Sequence, residues 1–567
     1  MRALAGLGLL AAVGFAWGQI GPPTLPAPPG TLPGEKPLPT PEFRKPAPEI
    51  LELPPLPPPE TGRVPVLPRV AVSKFRITGN TVVSDAELAR IAAPFENRPI
   101  TSTDLEELRR QLTLYYVNKG YVNSGAVIPD QTITGGVIEI RIVEGRLTSI
   151  DVEGTQHFRK SYFSDRIALY AGPPLNLVNL QEGLQILLRD PLVAGINAEL
   201  APGARPGEAV LKARVAEAPR YDLGMTVDNK LSPSIGEVEA TLFGEMRNLI
   251  GYGDVLSGSF GFAEGLRYDA KLRYRTPLNA YDTTAAVYYE TAKSKVIQEP
   301  FDQLDIESSV KTLGLLLTHP VYRRANDQLA LGAALEKRES ETSLLGEPFS
   351  FSPGVENGQA KVSVLRLIQD FLHRGRDQVL AVRSTISFGL NAMGSTVHSD
   401  APDSRYTAWL GQVQFVQRLF ERGDQLHLRA NFQLSNDSLL PIEQFSVGGL
   451  DSVRGFRANQ LVRDEGYTAT IEYRIPVFSN PTGWRNLQVA LFADRGWAKN
   501  KVEPNPSPSG LTGIGFGFIW TPSPRYFAEV YFADGRTTLP PQTGHSLQDN
   551  SVYFRFGVFP LRPSGSL

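Results

Sequence analysis

Alternation of apolar and polar residues with a period of two runs through the chain from Tyr221 to Phe559. In residues 266–275, for example, Leu, Tyr, Ala, Leu and Tyr alternate with Arg, Asp, Lys, Arg and Arg. Residues 426–435 and 467–475 repeat the pattern. Successive side chains of a strand point to opposite faces, so this region is predicted to form strands with one apolar and one polar face.

Such strands occur both in soluble sheets with one wet face and in transmembrane barrels. The strand lengths favour a barrel, because a tilted membrane strand needs about 9–11 residues. Aromatic residues near the predicted strand ends would suit an interface girdle. These are Tyr274, Trp520, Tyr526 and Phe559. There are about sixteen candidate strands, an even number as in single-chain bacterial barrels, so residues 219–567 are predicted to form a 16-stranded antiparallel transmembrane β-barrel.

The N-terminus has the pattern of an export signal. Arg2 precedes an apolar run at residues 4–13, and Ala16 and Gly18 are small residues at the positions that a signal peptidase needs. The run is shorter than the roughly 20 apolar residues that span a bilayer. Residues 1–18 are therefore predicted to be a cleaved signal peptide, and the mature chain to lie in the outer membrane of a Gram-negative-type bacterium.

Proline dominates residues 19–69, and residues 54–59 read Pro-Pro-Leu-Pro-Pro-Pro. Proline lacks the backbone N–H that helices and sheet ladders use, so the segment is expected to form neither and to be extended. A spacer is the favoured interpretation. A ligand for a proline-recognition module is the alternative.

Two units of similar plan are predicted between this linker and the barrel, at residues 70–145 and 146–218. Each reads as β-α-α-β-β. In the first, Ser84 and Glu87 have the spacing of a capping box at a helix start. In the second, Asn176 or Asn179 can cap the longer helix. The predicted fold class is therefore α+β plus all-β.

Charge and residue usage exclude several kinds of function. The chain has 57 Lys and Arg against 59 Asp and Glu, a net charge of −2, which argues against a nucleic-acid partner. It has no cysteine, so thiolate metal sites and Cys nucleophiles are excluded. The six histidines have no metal-ligand spacing, and the glycines at 513, 515 and 517 lie on a predicted strand. No enzyme activity, metal or cofactor is predicted.

A long loop at residues 436–466 is expected to fold into the barrel, because a wide polar lumen would otherwise leak. In residues 487–494 the apolar face is formed by Leu487, Val489 and Leu491. Gln488, Ala490, Phe492 and Asp494 share the other face, which turns Asp494 toward the lumen. Arg454 on the loop could form a bidentate pair with it. The lumen is expected to be wet, where a solvated pair would contribute about 0–1 kcal/mol and a more sheltered pair more. The alternative is a solvated Arg454 and an unrelated lumen carboxylate.

Two motifs carry a resemblance to a known family. The loop reads Gly-Gly-Leu-Asp-Ser-Val-Arg-Gly-Phe at 448–456, and a later strand reads Phe-Ala-Asp-Arg-Gly at 492–496. With the order of domains, they resemble the two-partner secretion outer-membrane transporters of the hemolysin/hemagglutinin secretion-activation type. The small units then resemble polypeptide-transport-associated (POTRA) domains. The resemblance implies a loop-tip motif and a barrel-wall motif that meet. Their residues are Val453, Arg454, Gly455 and Phe456 at the tip and Phe492, Asp494 and Gly496 on the wall.

The chain departs from the family pattern at both ends. Family barrels usually end on an aromatic residue, whereas here residues 560–567 follow Phe559. Some relatives carry an N-terminal helix that plugs the barrel, and residues 19–68 are too rich in proline to form one well.

The resemblance implies an outer-membrane pore that recognises an unfolded exoprotein with its periplasmic POTRA domains and secretes it. An open sheet edge could accept a strand of the client. The implied partners are this exoprotein, outer-membrane lipid and the barrel assembly machinery during biogenesis, without nucleic acid or cofactor. An outer-membrane protein assembly or insertion factor is the alternative function, and a passive porin is a third. The sequence leaves open whether the client is an adhesin or a cytolysin.

Overall fold

A computed structural model gives the fold of most of the chain. It describes residues 38, 43, 51–52, 69–478, 486–502, 504–539 and 545–562. The chain forms two compact units, one built mainly from Ala47–Ala218 and one that contains the barrel from Pro219 onward. The predicted signal peptide and most of the proline-rich linker lie outside the described residues. Among the described residues, no helix is long and apolar enough to cross a membrane.

The first unit contains two α/β modules and a short strand that precedes them. In chain order its elements are β1 (Leu51–Glu52), β2 (Val70–Val72), β3 (Lys74–Thr78), α1 (Asp85–Ala92), β4 (Arg98–Ile100), α2 (Ser102–Asn118), β5 (Gly125–Val127), β6 (Val137–Val143), β7 (Arg146–Glu153), α3 (Lys160–Ala168), α4 (Leu177–Leu188), β8 (Val193–Pro202) and β9 (Glu208–Glu217).

The first module has the two predicted helices and their caps. Ser84 accepts a hydrogen bond from the Glu87 N–H and Glu87 reaches back to the Ser84 N–H, so the predicted capping box is present. The strand predicted to begin at Val70 is divided into β2 and β3. β3 pairs in parallel with β6, whereas β2 pairs with β4, a strand that the sequence analysis did not predict. β4 contains Pro99, which lowers its strand signal.

In both modules a glutamate carboxylate accepts backbone hydrogen bonds at the turn that follows the first long strand. Glu144 accepts hydrogen bonds from the backbone N–H groups of Thr81 (2.6 Å) and Val82 (3.1 Å). At the equivalent place in the second module, Glu217 accepts from the N–H groups of residues 156–158 at 2.7–3.0 Å. Burial raises the pKa of the Glu217 carboxyl, but these N–H donors outweigh burial and hold the pKa below its ordinary value. The shared device indicates one repeated module.

The proline-rich segment contributes a strand to the second module, which corrects the expectation that it forms no sheet ladder. Leu51 and Glu52 form β1 and pair in parallel with Ala198 and Glu199 of β8. The sheet order is β1-β8-β9-β7, and Leu51 is buried. These two residues precede the densest run of prolines, so their N–H groups are available for pairing. One edge of this sheet, expected to be open, is therefore occupied.

The second unit is a closed antiparallel barrel, as predicted. Its chain contains β10 (Tyr221–Asp228), β11 (Glu239–Arg247), β12 (Val255–Phe262), β13 (Leu266–Pro277), β14 (Thr284–Lys295), β15 (Glu307–Arg323), β16 (Asp327–Leu344), β17 (Glu347–Pro348), β18 (Gln359–Arg374), β19 (Gln378–Leu390), β20 (Thr407–Leu419), β21 (Asp424–Ser435), β22 (Phe445–Val447), β23 (Leu461–Arg463), β24 (Glu465–Phe478), β25 (Leu487–Lys499), β26 (Gly510–Ser523), β27 (Tyr526–Gly535) and β28 (Val552–Val558). Sixteen long strands form the wall, because β17 is a two-residue extension and β22 and β23 form a ribbon of their own.

Side chains alternate between the outer and inner faces of the wall. Leu272 and Leu491 are exposed on the outer face, whereas Asp269 and Ala490 are buried toward the lumen. Phe559 was expected in the outer aromatic girdle, and that expectation is wrong. Its ring packs on Phe243, with centroids 5.0 Å apart, on the lumen face of the seam between β10 and β28.

Candidate functional site

The connection between β21 and β24 lies against the inner face of the barrel wall. β24 begins at Glu465, so the connection ends at residue 464, two residues before the predicted limit. Val447, Val453 and Phe456 of this inward loop are buried, and they pack with apolar residues of the wall. Their wall partners are Leu410, Ala498 and Leu511.

The tip of the inward loop forms a buried ion pair with the wall. Arg454 Nε donates to Asp494 Oδ2 at 2.8 Å and Nη2 donates to Oδ1 at 2.9 Å, which is a bidentate pair. The Arg454 backbone N–H also donates to Asp494 Oδ2 at 3.1 Å. The remaining nitrogen, Nη1, donates to Glu472 Oε2 at 2.6 Å. Arg454 thus bridges carboxylates of the neighbouring strands β24 and β25.

Aromatic rings complete the surroundings of this guanidinium. Its carbon lies 3.4 Å from the centroid of the Phe492 ring and 4.8 Å from that of Tyr531. Arg454 is 3% exposed and Asp494 is 1% exposed. Of the solvated and the sheltered pair that the sequence allowed, the structure has the sheltered one. In a buried pair, removal of one partner leaves an uncompensated charge and costs about 3–5 kcal/mol.

Glu472 is a member of the tip site that the sequence analysis did not select. It lies on the polar face of β24, and the register places it opposite Phe492 and places Thr470 opposite Asp494. It also accepts from Arg474 Nε at 2.7 Å. The alternation within residues 467–475 places Glu472 on the polar face of its strand, but local sequence does not encode the register that brings it beside Asp494.

Two glycines of the predicted motifs allow the tip to approach the wall. Gly455 has φ +94°, and its N–H donates to the Tyr553 hydroxyl oxygen at 2.8 Å. A Cβ atom at Gly496 would lie 2.3 Å from Val447 Cγ1 and 2.8 Å from Val453 Cγ2. Any larger residue at Gly496 would therefore push the inward loop off the wall.

A second ion-pair cluster holds the start of the inward loop, and the sequence analysis did not predict it. Glu443 Oε1 lies 2.5 Å from Arg338 Nη1, and Glu443 Oε2 lies 2.9 Å from Arg366 Nη2. Arg366 Nε also donates to Glu336 at 2.9 Å. The two arginines belong to the neighbouring strands β16 and β18, whereas the tip pairs with β24 and β25, so the inward loop is bound to two separate parts of the wall.

The last long loop of the barrel supplies a third set of contacts. Arg457 forms a two-nitrogen pair with Asp549, at 2.6 Å for each bond. The Ala458 N–H donates to Gln548 Oε1 at 2.7 Å. Polar contacts thus hold the inward loop at its start, at its tip and just after its tip.

Two described residues of the proline-rich segment also contact the lumen face. Leu38 is buried against Leu372, Val379 and Ala381, and its carbonyl accepts a hydrogen bond from the Gln414 side chain. The ring of Phe43 lies 4.5 Å from the guanidinium carbon of Arg418.

Comparison with known proteins gives the same architecture. Residues 70–145 match the POTRA domain of the ShlB type. The outer membrane transporter CdiB of Escherichia coli is 24% identical over 486 residues, which cover 82% of this chain and 79% of that protein. The hemolysin transporter protein ShlB of Serratia marcescens is 23% identical, with coverage of 71% and 72%.

Solved structures are similar in fold. CdiB from Escherichia coli aligns with a TM-score of 0.66 at 22% identity, over 89% of this chain and 92% of that one. BamA from Haemophilus ducreyi, without its first three POTRA domains, aligns with a TM-score of 0.52 at 14% identity, over 86% and 100%. Residues 207–519, more than half of the chain, match the haemolysin secretion/activation protein family ShlB/FhaC/HecB, and the chain therefore belongs to that family.

Proposed function

We propose that this protein secretes an unfolded exoprotein across the outer membrane through its barrel. The observation that carries the proposal is the buried cluster of Arg454, Asp494 and Glu472 inside a closed sixteen-strand barrel. A wide barrel that holds one of its own loops in the lumen has a pore whose opening can be controlled. The residues 453–456 and 492, 494 and 496 then act together to position the inward loop.

The two modules are proposed to capture the client before it enters the barrel. We retain residues 70–145 and 146–218 as their boundaries and residues 219–567 as the barrel. β3 and β5 are the outer strands of the main sheet in the first module, and β7 is an outer strand in the second. An extended client strand can add to such an edge through main-chain hydrogen bonds with little sequence requirement. No catalytic step is needed for this function.

Secretion is tested in cells that express this chain with a signal-bearing N-terminal fragment of a candidate exoprotein. The wild type is expected to release the fragment into the medium. Deletion of residues 70–145 is expected to abolish release, while the barrel still shows the gel shift of a folded barrel between unboiled and boiled samples. Normal release after this deletion would contradict client capture by the first module.

An assembly or insertion factor is the second candidate, and the fold similarity to BamA is the observation that favours it. The same cells distinguish the two functions. A secretion pore changes the amount of exoprotein in the medium and leaves the folded fraction of other outer-membrane barrels unchanged. Loss of folded barrels on depletion of this chain, with release unchanged, would support the assembly function.

A further inference from the structure

A hollow of about 450 Å³ opens on the outer face of the barrel wall between β20 and β26. Three alanines on neighbouring strands line it, namely Ala430, Ala469 and Ala493. Leu428 and Ile471 rise beside them. Ile471 is 50% exposed and shares its parity with Ala469, which identifies this side as the lipid-facing one. The hollow is therefore an apolar depression that faces the bilayer.

Arg495 borders this hollow and lies on the same outer face of β25 as Ala493 and Trp497. Trp497 stacks on Tyr467 with centroids 6.2 Å apart, an aromatic pair typical of the membrane interface. The modules that precede β10 are periplasmic, so β10 runs from the periplasmic toward the extracellular end. Strand directions alternate around the wall, and β25 runs in the same direction as β10, toward the extracellular end. Arg495 comes before Trp497 on this strand and thus lies closer to the bilayer midplane than the aromatic pair does.

The charge of Arg495 needs an anionic partner at this depth. An outward arginine costs up to about 2–4 kcal/mol at the bilayer midplane and less near the interface. Among the described residues, its polar partner is the hydroxyl of Thr512, which is uncharged. Lys499, the outward residue beyond Trp497, has a carboxylate partner, because its Nζ lies 3.3 Å from Glu465 Oε2.

We propose that the hollow and Arg495 bind a phosphate-bearing glycolipid of the outer leaflet. An acyl chain fills the depression between the alanines, and the phosphate pairs with the guanidinium, whose fork geometry matches phosphate oxygens. Lipid is the occupant because the hollow faces the bilayer. The extracellular position of Arg495 assigns the lipid to the outer leaflet. The proposal depends on the outer-membrane barrel and not on the proposed secretion function.

The test uses the full chain refolded into phosphatidylcholine vesicles with or without bisphosphorylated lipid A. The temperature at which half of the folded gel band is lost is measured against lipid A content. Lipid A is expected to raise this temperature for the wild type. Arg495→Gln is expected to need roughly fivefold more lipid A for the same rise, since a basic residue near an anionic lipid surface contributes about 1 kcal/mol. Lys499→Gln is the matched control and should behave as the wild type.

Two further samples separate the phosphate from the acyl chain. Dephosphorylated lipid A should protect the wild type no better than it protects Arg495→Gln. Ala469→Leu, which fills the hollow without a change of charge, should also weaken protection by lipid A. The proposal is overturned if lipid A leaves the wild type unprotected, if it protects Arg495→Gln equally, if the dephosphorylated lipid protects as well as the phosphorylated one, or if Ala469→Leu has no effect.

Discussion

The start and the tip of the inward loop are held by ion pairs of opposite polarity. At the tip the loop supplies the cation, Arg454, and the wall supplies two carboxylates. At the start the loop supplies the carboxylate, Glu443, and the wall supplies Arg338 and Arg366. At the tip all three charged residues are buried, whereas at the start Glu443 and Arg366 are buried and Arg338 is partly exposed, so the tip charges depend more on their partners.

The tip and the start differ in how many of their charged side chains have a second ion-pair partner. At the tip, Asp494 is paired with Arg454, whereas Glu472 is paired with both Arg454 and Arg474. At the start, Arg366 keeps Glu336 when Glu443 is lost. We therefore expect substitutions at the tip to reduce stability and secretion more than substitutions at the start. Four substitutions test this expectation.

The largest effect is expected from Arg454→Ala. It leaves Asp494 buried without its cation and removes one partner of Glu472, a loss of about 3–5 kcal/mol. Secretion of the exoprotein fragment should fall at least about tenfold, the factor that corresponds to 1.4 kcal/mol. The fragment in the medium is measured by immunoblot, with the folded gel band as the control for barrel assembly.

Double substitutions sharpen this result. Arg454→Ala combined with Asp494→Ala should be no worse than the single changes, because both remove the same pair. The losses in the free energy of unfolding caused by Arg454→Ala and by Glu443→Gln should add within about 0.5 kcal/mol in the double variant, since the two sites share no partner. Strict additivity in the first combination would show that the tip pair does not act as a unit.

Arg454→Lys should have the next largest effect. Lysine keeps the charge but cannot form the planar two-nitrogen pair with Asp494 while also reaching Glu472. We expect a loss of about 1–3 kcal/mol, the range of a hydrogen bond to a charged group. Urea unfolding in detergent measures the loss. Secretion equal to the wild type would mean that charge alone holds the tip.

Glu443→Gln should have a smaller effect on stability and a clear effect on the pore. Arg338 loses its carboxylate, whereas Arg366 keeps Glu336, so we expect a loss of about 1–2 kcal/mol. The freed start of the loop should raise the channel conductance measured in planar bilayers. An effect on stability as large as that of Arg454→Ala would reverse the order of the tip and the start.

Arg457→Ala should have the smallest effect. Its partner Asp549 is partly exposed, and exposed pairs contribute about 0–1 kcal/mol. Secretion and conductance should both stay close to the wild type. A tenfold loss of secretion would show that the third set of contacts, and not the tip, controls the inward loop.

Local patterns in the sequence determined the barrel, the modules and one half of the tip site. Alternation assigns each side chain of a strand to a face without knowledge of its neighbours, so Asp494 could be placed in the lumen. The capping residues Ser84 and Glu87 act within one helical turn, so the capping box could also be predicted from the local sequence. The motif at 453–456 added the likeness to a family.

Tertiary structure alone decided which side chains meet. Glu472 joins Asp494 because the register of β24 on β25 places them on adjacent positions of the lumen face. Glu443 meets Arg338 and Arg366 because the loop also contacts β16 and β18, which β19, β20 and β21 separate from β24. The inward position of Phe559 and the pairing of Leu51 with Ala198 depend on barrel closure and on sheet assembly. These contacts join residues far apart in the chain, and no periodicity within a segment encodes the distance between them.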